Sequence, residues 1–283
     1  MSLGAILSLA IALLAGAGGA DLTAPDTSHP AGRAEPPPRS EPTAPDGRPD
    51  RLHAPIYAIH PAVDVPVLAA SALVIVVPSL LASEIIDERC PCDPSTVNRF
   101  DRGAIGNHDR AASAASDLTL GVAMAAPVAL ELLWVRGQAA LLTDLVIYAE
   151  VLLVNGALVE IAKYTVQRPL PRTYAGDPNL VRSAGGYRSF YSGHTAGTFA
   201  ALSFAAFTMG RRTDQRVWPW FVVAGVGASV AVERVAAGWH FPTDVIAGAV
   251  MGTLVGVGVP WLHLRHDLAV VPVRGGVGIA GRF

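Results

Sequence analysis

The sequence predicts an all-α protein, a six-helix transmembrane bundle, and three observations carry that reading. The 283 residues are 51% hydrophobic and only 16% charged, against about 25% charged in an average soluble domain. Mean hydropathy is +0.40. Apolar runs long enough to cross a hydrocarbon layer recur along the chain. The first, residues 65–83, carries no charge and would be about 28 Å long as a helix.

Residues 1–20 are a short apolar run ending in small residues, as in a secretory signal core, although no basic residue precedes it. The Pro-, Ala-, Asp- and Arg-rich stretch that follows has almost nothing large and apolar to bury, so 21–64 is expected to be a disordered linker. The membrane domain is placed at 65–263. After the first run, further apolar stretches cover about 117–135, 138–162, 194–209, 217–233 and 243–263. Glu131, Asp144 and Glu150 interrupt the second and third, and such residues should face the bundle interior or its ends. A non-membrane helical bundle is the competing reading. Residues 264–283 are Gly-rich and read as a C-terminal tail.

The net charge of −2, with no basic block, excludes a nucleic-acid footprint. Cys90 and Cys92 flank one proline, a poor spacing for zinc, and are expected to be two free thiols or a strained redox pair without a catalytic role. The Arg-rich loop at 210–216 should face the cytoplasm. A cleaved leader at 1–20 would place it on the other side, and the basic loop is given more weight because the leader lacks its basic start.

Three motifs sit at the ends of these stretches. Lys163, the only lysine beside twenty arginines, precedes Arg168-Pro169 where the third stretch gives way to a polar loop. Ser192-Gly193-His194 opens the fourth stretch. Arg234, His240 and Asp244 bridge the fifth and sixth. If successive helices are antiparallel, all three motifs meet at one membrane face, opposite the 210–216 loop. That places a candidate active site at one membrane face, looking toward the periplasm of an inner membrane.

The residue types suit phosphoryl transfer. Arginine offers a planar fork to phosphate oxygens and lysine a compact charge. Free N–H groups at a helix start favour an anion. Two histidines can divide the work of nucleophile and acid, and a carboxylate four residues after His240 can fix its tautomer. No carboxylate cluster offers a Mg²⁺ or Zn²⁺ cage, so a metal-free mechanism with no cofactor is expected. Each motif alone has a blander reading: a snorkelling lysine, a helix cap, a buried ion pair. Their ordered conjunction on one face favours function.

These residues resemble the type 2 phosphatidic acid phosphatase family, which shares its site with vanadium-dependent haloperoxidases and class A bacterial acid phosphatases. The resemblance covers roughly residues 65–263. It implies that His240 takes the phosphoryl group, that Asp244 orients it, and that His194 protonates the leaving oxygen and then helps activate water. Lys163, Arg168, Ser192, Gly193 and Arg234 would hold phosphate oxygens. Tyr191 and Glu233 stand where the family usually has Pro and Ser. The family places six residues between Lys and Arg-Pro, and that spacing lands here on Leu170-Pro171, so Arg168 or Arg172 must fill the role, or the site runs with one cation fewer; Arg168 is the favoured candidate. The expected activity is hydrolysis of a lipid phosphomonoester or diphosphate, of the phosphatidic acid or isoprenyl diphosphate type, through a phosphohistidine. A vanadate-dependent haloperoxidase and a catalytically weakened member of the same fold are the alternatives. The expected partners are the membrane and a lipid phosphate, and the sequence carries no signal for oligomeric state.

Overall fold

The computed structural model describes residues 51–265 with their side chains, and beyond them the backbone of the two strands at the C-terminus. The leader-like run and most of the expected linker lie outside the described residues. Six long helices are present among the described residues: α1 Pro61–Leu80, α2 Arg110–Trp134, α3 Gln138–Val166, α4 Gly193–Arg212, α5 Trp218–Ala236 and α6 Pro242–Leu262. The first begins earlier than the charge-free run at Val65, because the His60 carbonyl accepts the Val63 and Asp64 N–H groups and Pro61 occupies the first turn. Tyr57, in the expected linker, is already packed into the core. The C-terminal segment forms an antiparallel hairpin of β1 Asp267–Val273 and β2 Gly276–Arg282.

Among the described residues, five segments are long and apolar enough to cross a membrane: Pro61–Leu80, Arg110–Trp134, Gln138–Tyr174, Trp218–Ala236 and Pro242–Leu262. The sixth helix, α4, falls short by composition, and its place in the bundle gives the reason. It packs against α2, α3, α5 and α6, and most of its length is buried, including Ala196, Ala200, Ala201, Phe204 and Thr208. A helix surrounded by other helices need not match lipid. It needs small side chains that let its neighbours approach. The outer helices instead carry exposed Leu73, Leu118, Phe221, Val232 and Leu254, an apolar surface of the kind lipid requires.

The contact of α4 with α6 is the most extensive in the bundle. Gly248, Gly252 and Gly256 line the α6 face that lies on α4. A Cβ at Gly248 would come within 2.7 Å of the Ser192 carbonyl oxygen, and one at Gly252 or Gly256 would run into the carbonyl of Ala196 or Ala200. Gly252→Val is therefore expected to force the helices apart and lower thermal stability by about 1–3 kcal/mol or more. Gly225→Ala, where a Cβ meets only open space, should be neutral or slightly stabilising. Thermal unfolding in detergent reads both. Equal behaviour of the two variants would contradict this packing.

The acids inside the spans are buried and face inward. Asp144 is paired with Arg212 (Nη2–Oδ2, 2.5 Å), and Glu131 is 6% exposed and Glu150 5%.

Candidate active site

The antiparallel order brings the end of α3, the start of α4, the end of α5 and the start of α6 to one face. Each turn there has a local cause. Gln167 adopts a left-handed conformation (φ 47°) that stops α3. The chain then runs beside 186–189, with the Ser189 N–H donating to the Arg168 carbonyl and the Leu170 N–H to the Gly186 carbonyl. Gly238, at φ 70°, ends α5 and turns Trp239 and His240 back toward the bundle. Pro242 opens α6, and Asp244 accepts the Phe241 N–H at 2.9 Å.

His240 is 4% exposed. Its Nδ1 lies 2.8 Å from the Ser189 carbonyl oxygen, so that nitrogen carries the proton. Nε2 is left with no hydrogen bond among the described residues. Burial, and then the charges of Arg234 and Lys163, push its pKa well below 6.5. The imidazole is therefore expected to stay neutral as pH falls through 6.5, which ¹⁵N NMR of labelled histidine would read. The unfolded chain takes up that proton near 6.5 and the native chain does not, so this group lowers stability below that pH.

Asp244 does not touch His240 by a hydrogen bond; Oδ2 and Nδ1 are 3.9 Å apart. Its influence passes through Ser189, whose hydroxyl donates to Asp244 Oδ2 at 2.5 Å while its carbonyl holds the imidazole. Arg168 donates to Asp244 Oδ1 at 2.5 Å, to Asp101 Oδ2 at 2.8 Å and to the Thr243 hydroxyl. Asp101 also accepts from Thr243 N–H and Asn98. Burial raises the pKa of Asp101, but the donors from Arg168, Thr243 and Asn98 together hold it below the usual carboxylate range. Arg168 is thus engaged with carboxylates behind His240.

Ser192 caps α4, its hydroxyl accepting from Thr195 N–H at 3.4 Å. Gly193 and His194 supply first-turn N–H groups, and Lys163 Nζ lies 3.4 Å from where a Gly193 Cβ would stand. Among the described residues, Lys163 has one ion-pair contact, Glu160 at 3.7 Å. Glu160 also binds Arg188, whose guanidinium stacks on Tyr164. His194 Nε2 lies 2.7 Å from Asp117 Oδ1, which is 3.4 Å from Arg234 Nη1. Arg234 is buried and also donates to the Ser116 hydroxyl. Arg172 pairs with Asp177, stacks over Trp239 and borders an open cleft with His108, Arg110, Ser113 and Asp117. Leu170, at the spacing where the family has arginine, is buried.

Sequence reasoning missed Asp101, Asp117, Ser189 and Arg188. Arg188-Ser189 lies directly before Phe190-Tyr191-Ser192-Gly193-His194 and could have been read as part of that motif. Asp101 and Asp117 lie far from it in sequence and carry no local signal. The cysteines are bonded to each other, Cys90 to Cys92, on the loop at this face, rather than standing as free thiols.

The PAP2 superfamily model matches residues 144–267. The chain is 32% identical over 103 residues to the lipid A 1-phosphatase of Porphyromonas gingivalis, 36% of this chain and 20% of that one. It is 36% identical over 78 residues to a probable lipid phosphate phosphatase 4 of Arabidopsis thaliana, 25% of each chain. It is 37% identical over 73 residues to the bacitracin transport permease protein BcrC of Bacillus licheniformis, 26% of this chain and 32% of that one. The chain thus spans a third or less of the length of these curated relatives. No solved structure matches it. The family model covers less than half of the chain, but the matched residues 144–267 hold every histidine and cation of the cluster, and over that stretch the chain resembles the PAP2 superfamily.

Proposed function

We propose that the protein is a membrane-bound phosphatase that hydrolyses a lipid phosphomonoester or diphosphate through a phosphohistidine on His240. One observation carries this reading. At this face, the buried Nε donors of Arg172, Arg188 and Arg234 have no hydrogen-bond partner among the described residues, and the charges of Arg234 and Lys163 act on a neutral His240 imidazole whose Nε2 is free. Buried donors without partners cost free energy unless something accepts from them, and a phosphate offers several anionic oxygens to such a set.

In this mechanism His240 Nε2 attacks phosphorus and the bond to the lipid oxygen breaks. His194 gives that oxygen a proton, and Asp117 holds the His194 ring in place. His194, now a base, takes a proton from a water whose oxygen attacks phosphorus; the phosphorus–nitrogen bond breaks, releasing inorganic phosphate and restoring His240. Lys163, Arg188, Arg234 and the first N–H groups of α4 neutralise the equatorial oxygens. Arg188 fills the place that Leu170 leaves without a cation. The assembly is itself cationic and would repel a metal ion, so chemistry here runs without one. The names of the relatives support a phosphate on an amphiphile as substrate, and a site at the end of membrane helices suits a lipid headgroup. The Cys90–Cys92 disulfide on the same face supports an orientation toward an oxidising compartment such as the periplasm.

The test is phosphate release by the purified protein from phosphatidic acid and from undecaprenyl diphosphate at 25 °C with EDTA present. Release that persists in EDTA and disappears in His240→Ala is the expected result. Release abolished by EDTA with Tm unchanged, and restored by a divalent ion, would overturn the metal-free mechanism. Arg188→Gln should raise KM more than it lowers kcat, by about tenfold for one charge-assisted contact. An unchanged KM would remove Arg188 from the phosphate site.

A further inference from the structure

At the end of the bundle away from the phosphate cluster, three ionisable side chains from three helices meet in the interior. Asp64 comes from the first turn of α1, Glu150 from the middle of α3, and His263 from the C-terminal end of α6. They are 2%, 5% and 8% exposed. One ligand atom from each lies within 4.8 Å of the other two. His263 Nδ1 is 2.8 Å from the Val259 carbonyl oxygen and donates to it. Nε2 therefore faces Asp64 Oδ1 at 3.2 Å and Glu150 Oε2 at 3.6 Å. Glu150 Oε2 is buried with no hydrogen-bond partner among the described residues.

Two buried carboxylates and a ring nitrogen aimed at one point require positive charge between them. A second proton on the imidazole balances one carboxylate and leaves the other. A divalent ion balances both and uses the Nε2 lone pair. Ligand bonds of about 2.0–2.2 Å in a tetrahedral array put neighbouring ligand atoms about 3.4 Å apart, close to the two separations found. The supporting contacts also fit. A backbone carbonyl fixes the imidazole tautomer, and Asp64 Oδ2 accepts the His60 N–H at 2.6 Å.

We infer that Asp64, Glu150 and His263 bind one divalent transition-metal ion of the Zn²⁺ type, the class that takes imidazole together with carboxylate. Glu150 is about 20 Å along α3 from Lys163, so the ion is separate from the phosphate cluster. Its role is to tie α1 and α6 to α3. It also secures segment 56–58, whose Ala58 N–H donates to the His263 carbonyl.

The full-length protein, purified in detergent without chelator, is assayed for metal content and thermal stability. The expected result is about one Zn²⁺ per chain. A Tm drop of about 5–10 °C should follow EDTA treatment, reversed by Zn²⁺ but not by Mg²⁺. Substitution with Co²⁺ should give visible absorption bands that disappear in the double variant Asp64→Asn/Glu150→Gln. If that variant does not fold, the wild-type metal content and Tm decide alone. Metal-free wild-type protein whose Tm ignores added Zn²⁺ overturns the inference and leaves a proton-bridged triad.

Discussion

His240→Gln is expected to leave a folded membrane protein that releases no measurable phosphate, a loss of at least about 10⁴-fold in kcat/KM. Glutamine is chosen because its amide can still donate to the Ser189 carbonyl, the one hydrogen bond that holds the imidazole, so folding should survive. What disappears is the free ring nitrogen. Every cation around the site remains, so binding of inorganic phosphate or vanadate should persist while turnover stops. The complementary variant, His194→Ala, should slow both halves of the reaction. With a substrate carrying a good leaving group, the first half needs less acid catalysis and phosphoenzyme should accumulate. Acid-labile ³²P on His240 in that variant is the decisive observation. Label on another residue, or turnover by His240→Gln, would remove His240 from the nucleophile's role.

Arg168→Gln is expected to cost about 3–5 kcal/mol of stability, a fall in Tm on the order of 10 °C. Asp101 and Asp244 are both fully buried, and Arg168 is the cation that touches each. Removing it leaves two carboxylates without compensation. Rate should fall as well, because Asp244 steers Ser189 and Ser189 holds His240. The double variant Arg168→Gln/Asp101→Asn should recover part of the lost Tm, since it removes one of the stranded charges. Arg188→Gln, by contrast, should change Tm little, because its side chain is 24% exposed and its ion pair with Glu160 is correspondingly weaker. If Arg168→Gln keeps its Tm and only raises KM, then Arg168 contacts phosphate and not the carboxylates.

The candidate site was legible in sequence where function and helix boundaries coincide. Lys163, Ser192-Gly193-His194 and Arg234…His240…Asp244 stand at the ends of apolar runs, and alternation of helix direction is enough to bring them to one face. Their partners were not legible. Asp101 approaches Arg168 and Asp117 approaches His194 across separations of 67 and 77 residues, and no spacing rule reaches that far. The exchange of Leu170 for a motif cation was visible, but the neighbour that could make it up was not, because Glu160 links Arg188 to Lys163 only in space.

The sequence by itself determined that this is a helical membrane protein with a cationic, histidine-bearing face, since hydropathy, helix ends and residue chemistry are local properties. Only the tertiary structure decided that α4 is the buried centre of the bundle. Its modest hydropathy gives no hint of whether lipid or protein surrounds it. The glycine face of α6 and the four helices packed around α4 do. Tertiary structure also decided that Arg168 serves carboxylates behind His240, and that Asp64, Glu150 and His263 meet at the far end. Charges inside a low-dielectric bundle must find partners, and which partners they find depends on how the helices are arranged in three dimensions.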